Sequence, residues 1–242
     1  MLGALKRLDN IVFIDIETVS EVESYHDLSE EYQNIWEQKS TYVREKEGLS
    51  VEDAYEQKAA IYAEFGRVIV ISIGFFVKNQ KGDVLFKIKT LANDNEKDLL
   101  VDFVKIMKSF KGKLRFCAHN GREFDYPYLC RRFLIHGMSL IKPLKLSDKK
   151  PWENPHLDTM QMWKFGDYKH YTSLNVLTTV LGIPSPKQGI DGSQVGIVYY
   201  KDRDLERIAN YCGEDVIATA RVYLRLSESN YTLSSSSIIF AS

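Results

Sequence analysis

Two acids stand two residues apart in an apolar run, Ile11-Val12-Phe13-Ile14-Asp15-Ile16-Glu17-Thr18. The β-branched and aromatic residues around them read as a buried strand. Residues i and i+2 of a strand leave the same face, so Asp15 and Glu17 point together, as joint ligation of one cation requires. Buried charge costs several kcal/mol unless it is paired or metal-bound. The alternative is an exposed strand end. Asp-x-Glu recurs at Asp94 and Glu96 and at Asp204 and Glu206, but both of those open helices, where acids complement the dipole.

Two further signals follow along the chain. Asp125 comes just after the strand and turn "FCAHNGREF". With Leu129, Arg132, Phe133 and His136 it has helical spacing, so it is either a helix cap or a ligand, or both. Tyr211 and Asp215 are four apart, on the flank of an apolar helical stripe (Leu205, Ala209, Cys212, Val216, Ala220, Tyr223). That flank is the border of core and solvent, where a cleft forms. Tyr200 and Asp204 share the spacing, but Asp204 reads as a helix cap.

Four acids without a helping His or Cys are hard oxygen ligands, suited to Mg²⁺ or Mn²⁺ rather than zinc. Two such ions, roughly 3.5–4 Å apart, can clamp the attacking and leaving oxygens of a phosphodiester displacement. A tyrosine hydroxyl can orient the attacking water.

The elements that must position these groups are legible from periodicity. After the first strand, residues 21–65 read as a helical insertion broken near "KEGLSVEDAY", with Ser50 as a cap. Strands over 67–77 and 84–92 flank a turn at "NQKGD". A helix follows over 95–110, then a strand at "LRFCAHN", a helix over 125–136, a short strand or helix start at "HLDTMQMW", a helix at "SLNVLTTVLG" and a long one from Asp204. This is one α/β domain around a mixed sheet, spanning 1–229; residues 230–242 read as a tail that frays.

Over 242 residues the net charge is −1, which excludes adhesion to nucleic acid through bulk positive charge. Local patches remain: Lys142, Lys145, Lys149 and Lys150 with Arg131 and Arg132, unless these are only a solvated surface. The loop from Ser185 to Val195, with Lys187, Gln188 and Ser193, has the Gly and Pro content of a shaped, substrate-facing segment. The three cysteines, Cys117, Cys130 and Cys212, read as reduced core residues. No stretch has the length of a membrane span and the N-terminus does not read as a signal peptide, so a cytoplasmic location is expected.

"FIDIET", "HNGREFDYPYL" and "YCGEDV", in that order, resemble the DnaQ-like 3′–5′ exonucleases that use four acids and a tyrosine. More closely, the chain resembles the predicted PolB-like 3′–5′ exonuclease family, also through "EFGRVIVISIGF" and "GIDGSQV", up to about Leu226. The resemblance implies an RNase H-like α/β fold. It implies metal binding by Asp15, Glu17, Asp125 and Asp215, with two Mg²⁺ or Mn²⁺. Tyr211 would hold the nucleophilic water and Glu17 would contact the terminal 3′ hydroxyl. Asn120 and Phe124 become candidates for contacting the terminal nucleotides, Phe124 alternatively being a core aromatic. Asp158 is either a supporting acid of the site or structural. The expected activity is hydrolysis from the 3′ end of single-stranded DNA, releasing nucleoside 5′-monophosphates. The alternatives are the same chemistry on RNA, which differs by contact with one 2′-OH, and a non-catalytic single-strand binder.

Overall fold

The computed structural model describes residues 8–167, 170–184 and 190–241. Its strands are β1 (Ile11–Ser20), β2 (Gly66–Lys78), β3 (Val84–Ala92), β4 (Arg115–Ala118), β5 (Leu157–Asp158) and β6 (Ile238–Phe240). Its main helices are α1 (Glu30–Glu47), α2 (Val51–Lys58), α3 (Glu96–Ser109), α4 (Asp125–Ile135), α5 (Thr159–Lys164), α6 (Leu174–Val180) and α7 (Leu205–Leu226). The strands form one sheet in the order β5-β4-β1-β2-β3-β6. β1, β2 and β3 run antiparallel in sequence. β4 continues the sheet parallel to β1, and β5 parallel to β4.

The period-2 alternation of β1 divides the core between the two faces of the sheet. Val12, Ile14 and Ile16 pack with Phe103, Phe116, Leu129 and Phe133, under α3 and α4. Ile11 and Phe13 pack with Phe86, Val216 and Tyr223, under α7. Phe13 meets Phe76, Phe86 and Tyr223 edge to face, each contact worth about 0.5–1.5 kcal/mol beyond burial. By the same alternation Asp15 and Glu17 fall on the α7 side. Gly74 on β2 lets α7 lie close: a Cβ there would stand 2.3 Å from Phe86 Cζ and 2.7 Å from Val216 Cγ1. Any side chain at Gly74 would push α7, and with it Asp215, off the sheet.

The insertion after β1 is helical, as its composition indicates. Gly48 ends α1 at φ 69°, and Ser50 Oγ accepts from the N–H of Asp53 at 3.0 Å to start α2. Trp36, Tyr55 and Phe65 form its own small core. Ala60 ties it to the sheet, its carbonyl accepting from Thr18 Oγ1 and from the Tyr128 hydroxyl.

One expectation fails at the C-terminus. Ile238–Phe240 pairs in parallel with Phe86–Ile88 and extends the sheet edge. The serine run before it masks a short β-branched and aromatic segment that finds an open strand edge.

Candidate functional site

β1 contacts β4 only from Ile11 to Phe13. Beyond that point, the N–H of Ile16 donates to Asp125 Oδ1 at 3.2 Å. On the other side, β2 carries one extra residue: Glu17 faces Val70 while Thr18 faces Val68, leaving Ile69 unmatched. Such a bulge sharpens the local twist and re-aims neighbouring side chains. It lies at Glu17.

Asp125 is delivered by a tight turn. Asn120 sits at φ 65°, which Asn tolerates. A Cβ on Gly121 would lie 2.4 Å from Ala118 Cβ, so only glycine fits there. Asp158, at the end of β5, holds this turn: it accepts from the N–H groups of Asn120 and Arg122, each at 3.0 Å, and from those of Met160 and Gln161 at the start of α5. Asp158 thus has a structural role. Phe124 occupies the cap position of α4, so the Asp125 carboxylate is free to aim at β1.

α7 supplies the third side. The Tyr211 hydroxyl lies beside the Asp215 carboxylate and holds its pKa down. Cys212, read from sequence as core, is buried but also touches the acids. Its Sγ lies 3.3 Å from Asp15 Oδ2, and the potential ligand atoms of Asp15, Glu17 and Cys212 lie within 4.8 Å of one another. On the helix Cys212 lies about 60° round from Asp215, on the apolar stripe that faces the sheet, a placement readable from its phase.

The electrostatics are those of crowded like charges. Burial pushes the Asp15 carboxyl well above its usual range, and the charges of Glu17, Asp215 and Asp125 push it further. Glu17 is raised by burial and then by Asp215 and Asp125. Asp125 is pushed to about 7 by burial, with Asp158 and Asp215 adding and the Ile16 N–H opposing. Asp215 is pushed to about 6 by burial, against the pull of the Tyr211 hydroxyl. No lysine or arginine among the described residues appears among the groups that shift these four acids. Burial, followed by Asp215, Glu17 and Asp15, also raises the Tyr211 phenol, and burial raises the Cys212 thiol.

The structure therefore brings Asp15, Glu17, Asp125, Asp215 and Tyr211 into one cluster. The substrate candidates fare differently. Asn120 lies at the turn, its Oδ1 buried without a hydrogen-bond partner among the described residues. Phe124 packs on Tyr128 and against the core. Ser193 hydrogen-bonds Asp191 in a short turn. Lys187 and Gln188 lie outside the described residues. Arg132 is not a phosphate contact: it is buried, with its guanidinium 2.5 Å from Glu96 Oε2. Its helical phase with Leu129 and Phe133 was the signal for that.

Residues 61–239 match the model of a family described as a predicted 3′–5′ exonuclease related to the exonuclease domain of PolB. That match takes in Asp125, Tyr211 and Asp215, whereas Asp15 and Glu17 precede it. Among solved structures, the chain is similar to the family B DNA polymerase of the hyperthermophilic archaeon Pyrobaculum calidifontis, with TM-score 0.54 and 13% identity. The match covers 89% of this chain and 24% of the polymerase chain. It supports the fold: a six-stranded mixed sheet with flanking helices, RNase H-like.

Proposed function

Since this chain belongs to the family of predicted 3′–5′ exonucleases related to the exonuclease domain of PolB, we propose that it removes nucleotides from the 3′ end of single-stranded DNA with the help of two divalent ions. The observation that carries this reading is the convergence of Asp15, Glu17, Asp125 and Asp215, with Tyr211 beside Asp215. Four carboxylates whose pKa values burial and neighbouring acids raise, with no lysine or arginine among the groups that shift them, form a set that calls for external positive charge. The donors are hard oxygens, and the one nearby sulfur is held as a thiol, which fits Mg²⁺ or Mn²⁺. When bound, such ions offset charge on a phosphodiester and lower the pKa of water.

The chain's own groups have separable parts. Asp15 and Glu17 share a face of β1, and Asp125 is fixed against Ile16, so the acidic pocket is preformed on rigid elements. Tyr211 stays protonated because burial and three acids raise its pKa. It is therefore a hydrogen-bonding group that orients water rather than a general base. Hydrolysis breaks the bond between phosphorus and O3′ of the penultimate nucleotide, and the released nucleoside keeps its 5′-phosphate.

The test uses 5′-labelled single strands with Mg²⁺, Mn²⁺ or a chelator, with DNA and RNA in parallel. The expected result is a ladder shortening from the 3′ end, abolished by chelator and by Asp15→Asn. Cleavage that survives Asp15→Asn, or only internal cuts, would overturn the reading.

A further inference from the structure

Side chains of large apolar residues belong inside, and a ring held out in water points to a function when several stand together. Among the described residues, the four most exposed large hydrophobic side chains are Phe165 (85%), Trp152 (77%), Tyr42 (75%) and Tyr171 (69%). Tyr42 lies on α1, in the insertion. The other three sit on segments hydrogen-bonded to one feature, the turn that delivers Asp125.

Those bonds are specific. α5 begins on Asp158, which also holds Asn120 and Arg122. Further along α5, Gln161 donates to Glu123 at 3.2 Å, and Lys164 pairs with Glu123 at 4.0 Å. Phe165 follows directly, about 9 Å along from the helix start. Its backbone is left-handed, φ 44° and ψ 35°, an unfavourable conformation for a residue with a ring. Trp163 lies beside it, with ring centroids 6.5 Å apart. Tyr171 precedes Thr172, whose carbonyl is bonded to His119 Nε2 at 2.8 Å. On the other side, the Arg122 guanidinium reaches the carbonyls of Asn154 and His156. Trp152 stands just before them, with Lys150 Nζ 5.4 Å from its ring centroid. Lys142, Lys145 and Lys149 are exposed on the same loop.

We propose that Phe165, Tyr171 and Trp152 are a stacking platform for unpaired bases upstream of the 3′ end, with the adjacent lysines facing the phosphates. The occupant is single-stranded nucleic acid. Aromatic faces interleaved with basic side chains suit bases and phosphates together, and the segments that carry the rings are tied to the turn before Asp125 through His119, Asn120, Arg122 and Glu123. Stacking on such rings does not select sequence, and a duplex offers it no free base faces. The proposal rests on the exonuclease reading and adds residues to it.

The test is fluorescence anisotropy of a labelled dT12 whose terminal linkages are phosphorothioates, with Mg²⁺, on the full chain. Phe165→Ala, Tyr171→Ala and Trp152→Ala are each expected to weaken binding by about 5- to 100-fold. Mn²⁺ affinity and melting temperature at wild-type values show that each variant is folded. Phe165→Tyr should restore binding and Phe165→Leu should not, because a flat π-face is required. A blunt duplex should show no dependence on these residues. If wild type binds dT12 and the three alanine variants bind it equally well, or if Phe165→Leu restores affinity, the platform is refuted while the exonuclease reading stands. If wild type binds no single strand with Mg²⁺ present, both fall.

Discussion

Two buried acidic clusters lie on opposite faces of the same sheet, and their electrostatics run in opposite directions. Under α3 and α4, Glu96 is nearly fully buried, yet Arg132, the N–H of Val68 and His136 all bond its carboxylate. Burial pushes its pKa up, and these partners more than offset it, so the carboxyl is held below its ordinary range. Under α7, Asp15, Glu17, Asp125 and Asp215 face one another, and every one of them is raised. The first cluster is internally neutralised and holds the fold together. The second keeps acids close together with their pKa values raised, an arrangement that an external cation would relieve. Burial alone would not tell them apart; the presence of a guanidinium does.

The comparison breaks most sharply under mutation. Asp15→Asn should lower exonuclease kcat/KM by on the order of 10³-fold or more, about 4 kcal/mol in the barrier. The same change should not lower the melting temperature of the metal-free protein, because it removes a repulsive charge. Steady-state kinetics and calorimetry on one preparation check both halves. Arg132→Met should do the reverse. Leaving Glu96 buried without its guanidinium costs roughly 3–5 kcal/mol of stability, or about 10 °C in melting temperature for a chain of this size, while Mn²⁺ affinity of the folded protein stays near wild type. If Arg132→Met is as stable as wild type, the neutralised cluster does not hold the fold.

Tyr211→Phe should slow cleavage about 10- to 100-fold with little change in metal affinity, if the phenol has the proposed part of orienting water without giving up its proton. A pH–rate profile distinguishes this role: if Tyr211 were the general base, the mutation would remove a titration, and none is expected to disappear.

The smallest effect is on pH dependence in chelator. A carboxyl whose pKa rises on folding binds its proton more tightly in the folded state. Its contribution is complete below the ordinary value of about 3.9 and is lost as pH rises through about 6 for Asp215 and about 7 for Asp125. Glu96, lowered on folding, contributes above its ordinary value and is lost as pH falls. The metal-free melting temperature should therefore fall by a few degrees between pH 5 and pH 7.5, and saturating Mn²⁺ at pH 7.5 should restore it. A metal-free melting temperature that rises over that interval would contradict the account.

Much of this was legible in the sequence, for physical reasons that can be named. β3 follows from the alternation Phe86-Lys87-Ile88-Lys89 within Val84–Ala92, and α7 follows from an unbroken apolar stripe. The acids stand out because their types conflict with their apolar surroundings. The role of Glu96 is hidden, because at the start of α3 it looks like an acid serving the helix dipole; its partners, Arg132 and His136, come 36 and 40 residues later. Arg132 reads as basic surface when taken with Arg131 and as core when taken with Leu129 and Phe133, and the second reading is the structural one. β6 is masked by serines and needs the free edge of β3 to exist. The Cys212 contact with Asp15 depends on how closely α7 approaches the sheet, which Gly74 sets.

The central claim is that the α7-side acids form a divalent-cation site and the Glu96 cluster does not. Mn²⁺ titration at pH 7.5, followed by isothermal calorimetry and by loss of the free-ion electron paramagnetic signal, tests it directly on wild type, Asp15→Asn and Asp125→Asn. Wild type should bind saturably, and each variant should lose at least tenfold in affinity. Equal binding by all three proteins, or none by wild type, would contradict it.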